Sequence, residues 1–301
     1  MQVIDFSRQR NVASYTLKLA HGKELSLDSP QIMGILNLAP DSFSHVGRYQ
    51  AVDAAVEHAC QMVEDGAAII DIGAEPTNPS LDANTSLETE LNRLMPVLEK
   101  LVPLIDVPIS IDSSKPDVFT AAINAGAHLI NDVRGLRLPG AIEAAAKLAA
   151  GVCLLHMSYP DGVPESRETA HINPNWERDI NSFLRDRVDA CITAGIDSQR
   201  IMLDPGIGFG SFGKSTAQNC RLLSNLDFMQ DIGFPLLIGA SRKTFIGDIL
   251  SVPAEERLAG SLSAAVIAAL QGAHVIRVHD VKPTIDAIKI AQAIVNERGM
   301  L

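Results

Sequence analysis

Aromatic residues are scarce in this chain. They make up 4% of its 301 residues, against 47% hydrophobic residues overall. A core with so few rings must be filled by Ala, Val, Ile and Leu, which suits buried parallel strands with helices packed closely on them. Cysteine is also scarce. Cys60, Cys153, Cys191 and Cys220 lie far apart, with neither metal-ligand spacing nor a dense disulfide pattern. The expectation is reduced, mostly buried thiols in a cytosolic protein. No apolar run approaches the roughly 18 residues of a membrane span, and the first residues, MQVIDFSRQR, lack the apolar stretch of a signal peptide. A cytoplasmic protein is expected. Positive charge is in deficit: the net charge is −11, which argues against nucleic acid and anionic membranes as partners. An anionic substrate would need a local basic pocket.

What is present is a repeating alternation. Short runs rich in Ile, Val and Leu predict strands at Ile32 to Leu38, Ala68 to Ala74, Pro108 to Asp112, His128 to Val133, Gly151 to Met157, Arg200 to Asp204, Pro235 to Ala240 and His274 to Val281. Segments between them have helical periodicity. Val52, Ala55, Val56, Ala59, Met62 and Val63 form one stripe within Gln50 to Asp65. Further helices are predicted over Lys115 to Ala125, Asn181 to Ala194, Pro253 to Gln271 and Pro283 to Glu297, with Gly66, Gly126, Gly195 and Gly272 placed as helix stops.

Alternating strands and helices imply parallel strands with crossover helices, and a count of eight favours a closed (β/α)8 TIM barrel as a single domain. An open Rossmann sheet is the competitor, but the loop after the first strand, Ala39-Pro40-Asp41-Ser42, lacks the dinucleotide glycine fingerprint. Tyr15 to Leu19 and Glu24 to Leu27 flank a turn at His21-Gly22, so residues 1–30 are expected to form a β-hairpin capping the amino-terminal end of the barrel.

The strand ends carry the informative residues. Asn37, Asp71, Asp112, Asn131 with Asp132, His156 and Asp204 end the first six strands. The seventh runs into Ser241, Arg242 and Lys243, and the eighth contains Arg277 and His279. Any one of these fits a helix N-cap. All of them together converge on one mouth of a barrel, where such folds place their chemistry. Arg277 and His279 are two apart and face one side. With Arg242 and Lys243 they predict a cationic cluster, and Asn37 adjoins it as a possible oxygen ligand for Mg²⁺ beside phosphate. The alternative is that Arg277 pairs internally with a strand-end aspartate. Asp112, Asn131 and Asp204 are expected opposite the cluster. Buried carboxylates need donors, and an aminopyrimidine-like ring supplies several. Two longer loops, Ala39 to Tyr49 and Glu75 to Ser86, read as lids.

These segments resemble one family closely. MGILNLAPDSFS from Met33, DIGAEPTNP from Asp71, SIDSSK from Ser110, INDVRG from Ile130, LLHM from Leu154, LDPGIGFG from Leu203, SRK from Ser241 and RVHD from Arg277 occur in order. Together they resemble the dihydropteroate synthases, pterin-binding enzymes of folate biosynthesis. The resemblance implies two small-molecule substrates, a pterin pyrophosphate and p-aminobenzoate, with Mg²⁺ as cofactor and a homodimer as the assembly. It places Asp112, Asn131, Met157, Asp204 and Lys243 on the pterin. It places Asn37, Arg277 and His279 on the pyrophosphate, with Asn37 also on Mg²⁺, and Thr77, Phe209 and Ser241 around p-aminobenzoate. Asp112, Lys243, Arg277 and His279 are the implied catalytic groups, in a dissociative reaction without a covalent enzyme nucleophile.

Three departures stand out. His45 replaces an acid in the first loop, and Pro76 and Asn78 replace a serine and an arginine in the second. Their joint change implies a different closing contact or weakened activity. Ser211, Phe212 and Gly213 resemble a short insertion beside the p-aminobenzoate subsite, where access for sulfonamide mimics would change. The competing functional readings are a catalytically weak pterin-binding paralogue and a methyltetrahydrofolate methyltransferase. The latter has no need of a pyrophosphate-binding cluster.

Overall fold

The structure is a computed structural model describing residues 14–38, 48–75, 85–158, 175–208 and 213–298. Strands β1 (Thr16–Lys18) and β2 (Glu24–Ser26) pair antiparallel as the expected hairpin. The eight predicted strands are β3 (Gln31–Asn37), β4 (Ile69–Gly73), β5 (Ile109–Asp112), β6 (Leu129–Asp132), β7 (Gly151–Leu155), β8 (Ile201–Asp204), β9 (Leu237–Ile238) and β10 (Val275–Val278). They form one parallel sheet in the order β8-β7-β6-β5-β4-β3-β10-β9. A parallel bridge between Leu203 and Leu236 brings the two ends together, so the sheet is a (β/α)8 barrel.

The helices are α1 (Arg48–Glu64), α2 (Leu87–Leu101), α3 (Pro116–Asn124), α4 (Ala141–Leu148), α5 (Trp176–Thr193), α6 (Thr216–Ser224), α7 (Asp227–Gln230), α8 (Thr244–Leu250), α9 (Leu258–Leu270) and α10 (Val281–Arg298). The helix expected over Pro253 to Gln271 is broken. Ala254–Glu256 is a separate 3-10 turn, and α9 starts only at Leu258. Arg257, between them, reaches the carbonyls of Val252 and Arg242, contacts that fix the break.

Two separate apolar clusters show which way each strand residue faces. Ile70, Ile72, Ile109, Ile111, Ile130, Val152, Leu154, Ile201, Leu203, Leu236, Ile238 and Ile276 pack with the helices. Met33, Ile69, Leu129, Cys153, Met202, Leu237 and Val275 form a second cluster with Leu17, Leu19 and Leu27 of the hairpin. Period-two alternation makes the second set the inner layer. It lies at the amino-terminal ends of the strands, and the hairpin closes it there. One step further along the strands, the same inner face carries Asp71, Ser110, Asp112, Asn131, Asp204 and Arg277. The barrel is thus greasy at its floor and charged toward its carboxyl-end rim.

This layering yields a stability prediction. Leu27 is fully buried in the hairpin plug. Leu27→Ala is expected to cost about 2–5 kcal/mol while leaving turnover per folded molecule unchanged, because the chemistry lies at the opposite end. Denaturant melts paired with initial rates check this. A loss of specific activity without loss of stability would contradict the layering.

Candidate active site

Asp204 ends β8, and its position is set by the turn that follows. The Gly206 N–H donates to Asp204 Oδ1 at 2.6 Å. Gly206 has φ +71°, and a Cβ there would fall 2.0 Å from the His156 carbonyl oxygen, so only glycine permits this turn. Burial pushes the Asp204 carboxyl up to about 6, against the lowering effects of the Gly206 N–H and then Lys243, Lys214 and Arg277. Lys243, just after the seventh strand, is brought down to about 8 by burial and Arg277, while Asp204 and Asp112 oppose the shift. Acid and base here share one low-dielectric space.

Arg277 lies at the centre. Its Nε donates to Asp71 Oδ2 at 2.6 Å and its Nη2 to Asp112 Oδ2 at 2.7 Å. The alternative of internal pairing is therefore realised, with two aspartates. Cationic and anionic groups do not occupy opposite walls as expected. They interleave, because a buried guanidinium needs counter-charges. Burial alone would lower the Arg277 pKa, but Asp71 and Asp112 reverse this and raise it. Burial pushes Asp112 up, with Arg277 opposing. Asn131 Nδ2 donates to the same Asp71 Oδ2 at 3.1 Å, leaving Asn131 Oδ1 and Asp71 Oδ1 buried without a partner among the described residues. Buried acceptors left unpartnered within the protein are satisfied by donors from water or from a ligand.

Ser241 and His279 meet at the rim, with Ser241 Oγ 3.0 Å from His279 Nδ1. Burial and the neighbouring Arg277 lower His279 to about 4, so it is a neutral imidazole near pH 7. Arg242 leaves the expected cationic cluster. It makes a two-pronged pair with Asp280 at 3.0 and 2.7 Å, in the left-handed backbone region at φ +57°. Asp132 serves as a local cap, accepting from Ser114, Arg134 and Leu136. Asn37 projects from the end of β3, in register with Gly73, which is in turn in register with Asp112. Met157 and His156 line a cavity of about 470 Å³ with Arg137, Trp176, Phe183 and Lys214.

Sequence reasoning did not assign a role to Asp71 or Lys214. Lys214 is buried with Nζ 3.3 Å from His156 Nδ1. Burial lowers it to about 7, with Asp204 opposing. Asp71 had a signal, its place at a strand end. Lys214 had none, because its burial is decided by packing. Thr77, Phe209, His45, Pro76, Asn78 and the Ser211-Phe212 part of the insertion lie outside the described residues. Among the described residues no cluster of His, Cys, Asp and Glu could hold a metal alone. An Mg²⁺ site would rest on the Asn37 amide oxygen and on oxygens brought by substrate, a donor set suited to a hard cation.

A closed parallel barrel with a charged, partly unsatisfied inner layer at its strand carboxyl ends defines a barrel enzyme that binds a polar small molecule at its rim. A family model described as "Pterin binding enzyme" matches residues 33–279. The dihydropteroate synthase of Escherichia coli (strain K12) is 45% identical over 274 residues, covering 91% of this chain and 95% of that one. The Bacillus subtilis (strain 168) dihydropteroate synthase is 37% identical, covering 89% and 90%. Among solved structures, the Xanthomonas albilineans dihydropteroate synthase with 4-aminobenzoic acid has a TM-score of 0.83 at 43% identity, covering 94% and 98%. The Yersinia pestis dihydropteroate synthase in a sulfonamide drug complex has a TM-score of 0.81 at 44% identity, covering 94% and 99%. The chain belongs to the pterin-binding enzyme family, among its dihydropteroate synthases.

Proposed function

We propose that this protein condenses 6-hydroxymethyl-7,8-dihydropterin pyrophosphate with p-aminobenzoate, giving 7,8-dihydropteroate and pyrophosphate. The carrying observation is a single buried layer in which Asp112, Asn131 and Asp204 lie among Arg277 and Lys243. A flat heterocycle with several N–H donors suits the carboxylate and amide oxygens, and an anionic tail suits the cation.

In this reading Asp204 accepts from the 2-amino and ring N–H groups, and Asn131 Oδ1 takes a further donor. Lys243 holds the ring from the acceptor side, and Met157 packs on its face. Arg277 and neutral His279 receive the pyrophosphate. Negative charge grows on that group as the C–O bond breaks, so donors fixed there favour departure. Asp112 stabilises the positive charge developing on the pterin methylene; the aryl amine attacks that carbon, and its surplus proton passes to the departed pyrophosphate or to water. Mg²⁺, held at Asn37, would add charge neutralisation on the pyrophosphate oxygens. Ser241, with Thr77 and Phe209, would border the p-aminobenzoate. A homodimer formed through the C-terminal helices is supported by exposed Ile249 and Leu250 on α8 and Ile290 and Ile294 on α10.

The test is pyrophosphate release followed across pH. Release should require both substrates, with Mg²⁺ present. Asp204 must be ionised to accept two donors, so kcat/KM for the pterin substrate should fall as pH drops through about 6. Absence of release, or release at an equal rate without p-aminobenzoate, would defeat the proposal. A profile flat between pH 5 and 8 would remove Asp204 from it.

A further inference from the structure

We infer that Asp71 is a positioning residue that holds Arg277 by its Nε and leaves the far end of the guanidinium free to exchange between Asp112 and the substrate's pyrophosphate. This rests on the reaction proposed above and adds a residue to which that reaction assigns no role.

The two carboxylates that hold Arg277 are not equivalent. Asp71 is 0% exposed, and its Oδ2 binds both Arg277 Nε and Asn131 Nδ2. Asp71 is in register with Ser110, two residues before Asp112 on β5, and so lies deeper in the barrel than Asp112. Asp112 has 17% of its side chain exposed and takes one terminal nitrogen of Arg277, Nη2. A ligand entering from the rim meets the Asp112 contact first. Breaking it exposes a carboxylate that still feels Lys243. Breaking the Asp71 contact would strand a fully buried carboxylate and also disturb Asn131, a far costlier step.

The consequence is a charge exchange. With no substrate, Nη2 neutralises Asp112. When the pyrophosphate arrives it draws Nη2 away, while Nε stays on Asp71. Asp112 is then released to face the methylene as positive charge develops there. One arginine thus serves the leaving group and uncovers the carboxylate that stabilises the cation. Through Asn131 the same Asp71 oxygen also links the pyrophosphate clamp to the pterin-binding amide.

The experiment is a double-mutant cycle with Asp71→Asn and Arg277→Met, read as kcat/KM for the pterin pyrophosphate and KM for p-aminobenzoate. Wild-type pyrophosphate release is measured first, and its failure would count against the reaction and not against this inference. Given an active wild type, Asp71→Asn should lower kcat/KM for the pterin pyrophosphate by roughly 30-fold or more, with KM for p-aminobenzoate changed by less than about threefold. The double variant should be no worse than Arg277→Met alone, within about threefold, because effects passing through one residue are not additive. Additive losses would locate the effect of Asp71 in Asn131 or the fold and overturn the inference. Should Asp71→Asn not fold, a wild-type crystal structure with the pterin pyrophosphate decides the matter. Nε should remain on Asp71 while Nη2 leaves Asp112. An arginine that abandons Asp71, or keeps both aspartates, overturns the inference.

Discussion

Asp204→Asn is expected to lower kcat/KM for the pterin substrate by about 10³-fold or more while leaving the protein at least as stable as the parent at pH 8. The activity loss follows from the chemistry. A carboxylate accepting two ring donors is replaced by an amide that accepts at one atom and presents N–H groups to another donor. Charge-assisted hydrogen bonds to a buried group contribute about 1.5–3 kcal/mol each, and two of them account for the expected factor. The stability result follows from burial, which holds the Asp204 carboxyl up at about 6. A carboxyl with a raised folded pKa destabilises the fold when ionised. That penalty is absent at low pH and grows as pH rises past the unfolded value toward the folded one. Removing the charge removes the penalty at pH 8, and Asn can still accept from the Gly206 N–H. Such an exchange of stability for activity marks a functional residue. Thermal melts and steady-state rates of one preparation test it. Activity within tenfold of the parent would mean that Asp204 does not hold the ring.

Arg277→Met behaves differently, because it should damage both properties. Removing the guanidinium leaves Asp71 and Asp112 buried without the cation that each contacts. Breaking such an arrangement from one side costs about 3–5 kcal/mol, on the order of a 5–10 °C fall in melting temperature for a chain of this size. The deficit should shrink on acidification. Without Arg277 the folded-state pKa of Asp112, which burial already holds up, rises further. The penalty is then largest above that pKa and is relieved as pH falls and Asp112 takes up a proton. The melting-temperature gap between parent and variant should narrow from pH 8 to pH 5. Activity should fall by about 10³-fold, the scale for one preorganised donor to developing negative charge. An equal gap at both pH values would show that the carboxylates are not what the arginine neutralises.

Much of this was legible in one dimension. Strand positions followed from Ile- and Val-rich runs, and all eight predicted strands exist, because each run's outward residues had to match the helices packed on them. Asp112, Asn131 and Asp204 were readable as inner-facing residues near the strand carboxyl ends, because polar groups otherwise have no place in such runs. The shortness of β9, two residues where six were expected, was not readable, since strand ends depend on which neighbour supplies hydrogen bonds. Arg242 was misplaced for a similar reason. Its neighbour in the sequence is Lys243, but its partner in space is Asp280.

The sequence by itself determined the alternation, the count of strands, the greasy floor and the polar rim, because period-two patterning dictates which side chains face inward. Only the tertiary structure decided that Arg277 is shared between Asp71 and Asp112, that Asn131 hangs on the same aspartate, and that Lys214 is buried against His156. Those pairings join residues far apart along the chain. They arise because a closed barrel forces inner-facing charges into one small volume, where each must find a partner or remain unsatisfied.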